Sequence, residues 1–320
     1  MRYAPFWILL FSMFLTANAC RKDVEEVRPY PVTVEELNLF LKQVPDASTT
    51  TTFQFSGLSD DKILILPGGA RIFLTDVDQL FYSTTTTSPV LCSSCSDLEI
   101  VVTLANSKGD ILGRGLPTIS PENKLLESHG MIEITVSCGG TPLKLLPGRN
   151  IKVQLPASNT QDGFSVHEAE FNAGNFVGWQ NSGQEIFIAD WPDGFGNSIS
   201  GYELLISNLG WASCARPVSG TGNQFCTSLL PNFTGLNTKA YLVFDGIRAV
   251  APLIFDDATH SFCFPEIPAG YPVRIVTVGK FGSDFWYGQT NTETGTNPTV
   301  LPLQPEKEDA VEILGYLRGL

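Results

Sequence analysis

The chain has 320 residues, of which 43% are hydrophobic and 17% charged, and its 21 phenylalanines can fill a substantial apolar core. This length suggests about two domains, and the composition excludes a largely disordered protein. With 20 lysines and arginines against 33 aspartates and glutamates, the formal net charge is −13. Nucleic acid is excluded as a partner, because a phosphate backbone is bound through clustered Lys and Arg side chains.

The N-terminal residues have the three parts of a secretory signal peptide. A positive charge at Arg2 precedes an apolar run from Phe6 to Leu15, and small residues follow up to Ala19. An apolar run of about ten residues is shorter than the roughly twenty that span a bilayer. We therefore expect residues 1–19 to be a signal peptide that is removed on export.

Cys20 directly follows this leader and is the predicted lipidation site. Ala19-Cys20, with Leu15 ahead of it, resembles the lipobox of bacterial lipoproteins, in the looser form of Bacteroidetes-type bacteria. The resemblance implies a lipoprotein acylated at Cys20, for example with palmitate, and anchored in the outer membrane on its periplasmic or cell-surface face. Several acyl chains would make a lasting anchor, because each buried methylene contributes about 0.8 kcal/mol. An ordinary signal peptide that leaves Cys20 first is the alternative.

Residues 20–49 are predicted to form the anchor, a tether and one short helix. Residues 21–26 are mostly charged, so they should lie in water, and they resemble the acidic tags that carry some lipoproteins to the cell surface. A plain solvated tether explains them equally well. Thr33 and Glu36 form a capping box, which predicts a helix from there to about Lys42.

Beyond the threonine run that ends at Thr52, the hydrophobic period changes to two, which is typical of half-buried strands. The predicted strands cover residues 62–66, 70–74, 98–104, 132–136, 151–155, 185–189, 202–206, 241–244 and 273–278. Gly- and Pro-rich turns separate them, and Ser107–Asp110 is interpreted as another turn. The predicted fold is therefore all-β, with two consecutive β-sandwich domains, a short N-terminal helix and a C-terminal helix.

The polar stretch 156–160 interrupts the apolar periodicity and is the predicted joint between the domains. The first sandwich would cover residues 50–157 and the second β-domain residues 158–305. A terminal helix is predicted over residues 306–320. Acidic residues at the start of this segment stabilise the first turn of a helix, and four of its apolar side chains share one helix face. Those side chains are Ala310, Ile313, Leu314 and Leu317.

Six cysteines remain when Cys20 is set aside: Cys92, Cys95, Cys138, Cys214, Cys226 and Cys263. An even number in an oxidising compartment indicates disulfides, although six thiols allow fifteen pairings. We expect most of the six to be oxidised, with at least one bridge among the last three. Cys92 and Cys95 have the spacing of half a zinc site or of a redox pair, but the partners that such sites need are absent from the sequence. Structural bridging is the favoured interpretation.

Segments 115–118, 125–131 and 139–145 resemble part of a group of uncharacterised Bacteroidetes surface lipoproteins. In those proteins the segments close a ZU5-like β-sandwich, so the resemblance implies such a sandwich over residues 50–157. One departure is His129, where the group more often has a second glycine.

Residues 209–216 are similar to a Trp-centred cysteine motif that follows the sandwich in the same proteins. Ala215 stands where an acidic residue is more usual. Both matches bear on the fold and bring no known chemistry with them.

Catalytic motifs with a physical rationale are missing from the sequence. It contains no Gly-x-Ser-x-Gly elbow, no His-Glu-x-x-His helix and no Gly-x-x-x-x-Gly-Lys loop. His167 precedes Glu168 but lacks the second histidine of a zinc pair. No catalytic residue is therefore assigned.

The segment from Asp190 to Asn197 is the most suggestive polar stretch. Asp190, Asp193 and Asn197 place side-chain oxygens around glycines, which is the ligand type that calcium prefers. The same residues are ordinary in a tight turn between strands. Calcium is therefore a possible cofactor, and no other cofactor is predicted.

All four tryptophans beyond the leader lie in the predicted second domain: Trp179, Trp191, Trp211 and Trp286. Trp191 and Trp286 are the predicted ligand-binding residues, because flat aromatic faces stack on sugars or peptides at low entropic cost. Core packing is the favoured interpretation for the tryptophans in general. We expect recognition to lie in residues 158–305, which are far from the anchor.

The sequence thus predicts a lipid-anchored cell-envelope protein with a non-enzymatic binding or scaffolding role. Its partners would be the membrane, through lipidated Cys20, and a protein or glycan ligand. A calcium-assisted hydrolase of glycans or peptides is the alternative, supported by the 190–197 segment and the tryptophans.

The anchor can be tested directly. Labelled fatty acid is expected to enter the wild-type protein and not the Cys20→Ser variant, because serine has no thiol to receive diacylglycerol. The measurement is label incorporation in the producing bacterium. Equal labelling of both proteins would rule out lipidation at Cys20.

Overall fold

A computed structural model describes residues 34–85, 88–193 and 197–320. The predicted signal peptide, the lipidation site Cys20 and the tether as far as Thr33 lie outside the described residues. In the part of the chain that the structure describes, no helix combines the length and the apolar character needed to cross a membrane.

Strands dominate the described residues and form two sheets. The first sheet contains β1 (Thr50–Phe55), β2 (Lys62–Ile65), β3 (Arg71–Leu74), β4 (Phe81–Ser83), β5 (Pro89–Val90), β6 (Leu98–Ala105), β7 (Leu126–Cys138), β8 (Thr141–Leu145), β9 (Ile151–Pro156), β10 (Ser165–Asn172), β11 (Asn175–Pro192), β12 (Ser198–Ile206) and β13 (Gly210–Pro217). The second contains β14 (Gly222–Ser228), β15 (Thr238–Phe244), β16 (Val250–Asp256), β17 (Ser261–Pro268), β18 (Pro272–Phe281), β19 (Asp284–Glu293), β20 (Thr299–Pro302) and β21 (Glu306–Glu308). The all-β prediction is confirmed.

The period-two pattern correctly identified the buried face of β7. Ile132, Ile134 and Val136 are buried, whereas Thr135 between them is exposed. The first sheet pairs its strands antiparallel, in the order β2-β3-β9-β12-β11-β10-β13-β7-β8-β4-β5, with β1 joined through β6. The second has the order β20-β14-β17-β16-β15-β18-β19-β21, and its β14–β20 pair is parallel.

The change from one sheet to the other occurs between Pro217 and Gly222. The predicted joint at 156–160 lies between β9 and β10, which belong to the same sheet, and β12 returns to pair with β9. A polar stretch can separate two strands of the same sheet as well as two different sheets. Composition alone therefore did not identify where the sheets divide.

Three helices occur among the described residues: α1 (Val34–Leu41), α2 (Lys108–Arg114) and α3 (Ala310–Arg318). The predicted helices near both ends of the chain are confirmed, and Ile313, Leu314 and Leu317 of α3 are buried as expected. The predicted start of the terminal helix was wrong. Residues 306–308 form β21 against β19, and α3 begins after Asp309, whose side chain accepts the amide hydrogen of Val311.

The interpretation of Ser107–Asp110 as a turn between strands was also wrong. Ser107 caps α2: its hydroxyl accepts from the Asp110 amide at 2.9 Å, and the Asp110 carboxylate accepts from the Ser107 amide at 3.0 Å. Such a reciprocal box satisfies two donors that a helix start would leave unpaired. Gly115 ends the helix with a left-handed φ of 67°, which glycine adopts without a steric penalty.

The three helices pack against one another through glycines of α2. A Cβ on Gly109 would lie 2.3 Å from the Leu317 carbonyl oxygen of α3, and one on Gly113 would lie 2.8 Å from the Leu41 carbonyl oxygen of α1. Arg318 of α3 donates to the carbonyls of Gln43 and Val44, just beyond α1, at 2.8 and 3.0 Å. Only hydrogen at the two glycine positions permits this spacing.

One hydrophobic cluster joins the helices to both sheets. Its buried members include Leu37, Leu41, Ile111, Leu112, Met131, Trp179, Tyr241, Val243, Val276, Val278, Ile313 and Leu317. They come from all three helices, from β7 and β11 of the first sheet, and from β15 and β18 of the second. Val32–Leu320 accordingly forms one compact unit.

Four of the six cysteines form disulfides, as the sequence predicted. Cys95 bonds to Cys138, and Cys226 bonds to Cys263, its direct opposite in the β14–β17 pair. Cys92 and Cys214 are free and buried. Structural bridging by Cys95 is therefore confirmed, and its partner is not the neighbouring Cys92.

The glycine contacts predict opposite effects for two matched substitutions. Gly109→Ala should destabilise the protein by about 1–3 kcal/mol, because the new methyl group meets the backbone of α3. Gly315→Ala, in α3 with no atom within 4 Å of the added Cβ, should stabilise it by about 0.5–1 kcal/mol through helix propensity. Urea unfolding midpoints measure both, and a Gly109→Ala protein as stable as wild type would contradict the packing.

Candidate ligand-binding cleft

A partly buried ion pair marks the candidate site. Arg216 of β13 lies directly opposite Glu127 of β7. Arg216 Nε and Nη2 lie 2.9 and 2.8 Å from the same carboxylate oxygen, Glu127 Oε2. The Glu127 side chain is only 10% exposed, so the pair is shielded from the water that weakens surface ion pairs.

The Arg216 guanidinium is held on every nitrogen. Nη2 donates to Gln161 Oε1 at 2.6 Å, and Nη1 donates to the Asp162 carbonyl at 3.2 Å. Its carbon atom lies 4.6 Å from the centre of the Phe164 ring, a cation–π contact. The loop between β9 and β10 is thereby fastened to β13.

His129 stands beside this pair because β7 contains an extra residue there. Cys214 pairs with Gly130 and Ala215 with Ser128, so the register slips by one and His129 has no partner on β13. Such a β-bulge redirects side chains. The segment before Met131 is therefore a bulged strand, and His129 is its extra residue.

The His129 ring packs edge-on against Phe164, with centroids 4.5 Å apart, and its Nε2 lies 3.8 Å from Glu127 Oε1. Among the described residues this buried nitrogen has no hydrogen-bond partner. Burial lowers the pKa of His129; the Glu127 carboxylate opposes this shift, and Arg248 and Arg216 reinforce it. The ring is therefore neutral at neutral pH.

A cleft of about 450 Å³ opens beside the ion pair, where the two sheets meet. It is lined by Glu127, Asp162, Gly163, Arg216, Pro217, Val218, Ser219, Ile247 and Tyr271. The first sheet and its loops supply the charged groups, and Ile247 and Tyr271 come from loops of the second. Small-molecule sites combine an apolar wall with a few placed polar groups in this way.

The free thiols are unsuited to nucleophilic chemistry. Burial raises the pKa of Cys214 strongly, and burial with the nearby Asp78 carboxylate raises the pKa of Cys92 to about 11. Both therefore stay protonated at neutral pH, and the reactive species of cysteine is the thiolate.

The structure brings two of the three predicted calcium ligands together. Asp193 accepts from the amide and the side chain of Asn197 at 3.1 and 2.7 Å, whereas Asp190 accepts from the Ser200 hydroxyl at 2.5 Å. These bonds close the β11–β12 hairpin; residues 194–196 lie outside the described part. Within the described ranges, no three His, Cys, Asp or Glu side chains gather as a metal site. The calcium hypothesis stays a prediction.

Trp191, the main predicted ligand-binding residue, is buried rather than exposed. It is 4% exposed, and its Nε1 donates to the Gly69 carbonyl at 3.1 Å. Its ring lies against Gly201, where a Cβ would come within 2.6 Å of it. Core packing, the interpretation that the sequence favoured, is therefore correct for Trp191, because small residues on the neighbouring segments admit the ring.

Trp286, the second predicted ligand-binding residue, is half-buried between Phe233 and Phe281, with centroids 5.9 and 6.0 Å apart. Trp179 is fully buried and donates to the Pro117 carbonyl. Trp211 lines a separate cavity of about 310 Å³ together with Lys42, Pro45, Gly113, Arg114 and Glu133. The structure therefore separates the tryptophans instead of gathering them at one site.

His167 is buried, and its Nδ1 lies 3.2 Å from the Ser165 carbonyl oxygen. Burial lowers its pKa, which agrees with a histidine that belongs to the core. Sequence reasoning did not identify Arg216 and Glu127 as a site, although both lie inside segments that it singled out.

Comparison with known proteins gives no family assignment. No protein-family model matches the chain, and no curated protein is detectably similar to it.

The environment of His129 predicts the sign of a pH effect. Because its pKa is lowered from 6.5, the unfolded chain binds more protons in the window just below that value, and stability falls as the pH falls through it. His129→Asn should therefore lose less stability than wild type between about pH 7.5 and 5.5. The exposed His260→Asn serves as the control, and an unchanged pH dependence in His129→Asn would contradict this account.

Proposed function

We propose that this protein is a lipid-anchored component of the cell envelope that binds a ligand without transforming it. Its binding site is the cleft between the sheets. The observation that carries the proposal is the cleft itself, which combines the Glu127–Arg216 ion pair with apolar residues contributed by both sheets.

Two features support an extracytoplasmic location. The disulfides Cys95–Cys138 and Cys226–Cys263 are typical of oxidising compartments. The leader and Cys20 supply the means of export and anchoring in the sequence.

A binding role is favoured because the reactive groups near the cleft are committed to the fold. Arg216 neutralises Glu127 and is itself held by Gln161 and the Asp162 carbonyl. The Cys214 thiol is kept protonated by burial. Preorganised groups of this kind bind a ligand at little entropic cost.

The proposal is tested by a substitution that fills the cleft with a large side chain. Ser219 lines it and is exposed, so Ser219→Trp should block ligand entry without disturbing the core, while Ser219→Ala leaves the cleft open. Full-length protein in detergent is screened against glycans and peptides, with and without a chelator. We expect binding without turnover that Ser219→Trp abolishes and Ser219→Ala retains. Chelator-sensitive turnover would instead favour the hydrolase.

A further inference from the structure

The hydrogen-bonding capacity left open in the cleft indicates what its ligand must supply. Four of the five N–H groups of Arg216 have protein partners in Glu127, Gln161 and the Asp162 carbonyl, and one on Nη1 has none among the described residues. Glu127 and Asp162 also line the cleft, and ionised carboxylates only accept hydrogen bonds. A complementary ligand therefore brings O–H or N–H donors, together with an acceptor for the remaining N–H of Arg216.

Charge selects among such donors. The Glu127 carboxylate is already paired with Arg216, and Arg248 is near enough to interact with Glu127 electrostatically. A cationic ligand at this carboxylate would meet repulsion from the two guanidinium groups. Hydroxyl groups supply donors without a charge, so they fit better than an ammonium group.

The cleft also has apolar lining. Pro217, Val218, Ile247 and Tyr271 line it together with the charged residues. A ligand that fits has hydroxyls on its rim and C–H groups on its face, which is the chemistry of a pyranose ring. The volume of about 450 Å³ is within the usual range of small-molecule sites.

We propose that the cleft binds a neutral sugar unit, with Glu127 and Asp162 accepting hydrogen bonds from its hydroxyls and Tyr271 and Ile247 packing on its C–H face. This inference rests on the proposed function, because it names the ligand class of the same cleft. The residues concerned differ from the tryptophans that the sequence had suggested for stacking.

The experiment uses full-length protein in detergent and saturation-transfer NMR. The probes are the methyl β-glycosides of glucose, galactose and N-acetylglucosamine, with N-acetylglycinamide and n-butylamine as non-sugar probes. At least one glycoside is expected to receive saturation on its ring protons. Asp162→Asn should weaken its binding about tenfold, since a charge-assisted hydrogen bond is lost, and Ser219→Trp should abolish it. The matched control is Asp257→Asn, because Asp257 is an exposed carboxylate that does not line the cleft.

The outcomes separate this inference from the proposed function. Binding of the amide or the amine in place of the glycosides, blocked by Ser219→Trp, would overturn the sugar assignment and leave the binding role intact. Glycoside binding unaffected by either cleft variant would overturn the assignment to this cleft. Failure of every probe would contradict the sugar inference, and if the broader glycan and peptide screen also failed, the proposed binding role would be contradicted too.

Discussion

The close approach of α2 to the two terminal helices is the contact on which the rest of the structure depends. Gly109 and Gly113 let the helix backbones approach to distances that any side chain would prevent. The helices then bury one apolar cluster against both sheets at once. Each sheet also contributes to a separate hydrophobic cluster. Without the shared cluster, the joint between the sheets would therefore be as mobile as an ordinary interdomain interface.

The geometry of the cleft depends on this packing of the helices against both sheets. Its charged residues belong to the first sheet and its loops, and Ile247 and Tyr271 belong to loops of the second, so its shape holds only while the sheets keep their relative position. Two further backbone bonds tie the sheets beside it: the Ser128 amide donates to the Arg248 carbonyl at 3.0 Å, and the Thr118 amide donates to the Val250 carbonyl at 2.8 Å. A site fixed in this way suits recognition of a ligand with a defined shape.

Local patterns predicted local structure well. Alternating apolar residues identified strands such as β7, and the apolar face of α3 was correct because both depend on neighbours in sequence. The capping residues Ser107 and Asp110 were present as a readable signal for α2, but Gly109 between them made the segment look like a turn. That glycine serves helix packing, which only the tertiary structure reveals.

The candidate site could not be predicted because it depends on long-range register. Glu127 and Arg216 are 89 residues apart in sequence, and they meet because β7 pairs with β13. The bulge at His129 is likewise a property of that pairing. Trp191 was proposed as a ligand-binding residue because of its polar neighbours, yet Gly201 of the paired strand β12 admits its ring, and the carbonyl of Gly69, 122 residues away, accepts its hydrogen bond.

The central claim is that the helices couple the two sheets into one cooperative unit. Native-state hydrogen exchange, read by mass spectrometry on peptides from β6–β7 and from β15–β18 as denaturant is added, measures the opening free energy of each sheet. The account predicts that the slowest amides of both sheets converge on the same opening free energy and unfold together. A second sheet that opens at clearly lower free energy while the first stays protected would contradict it.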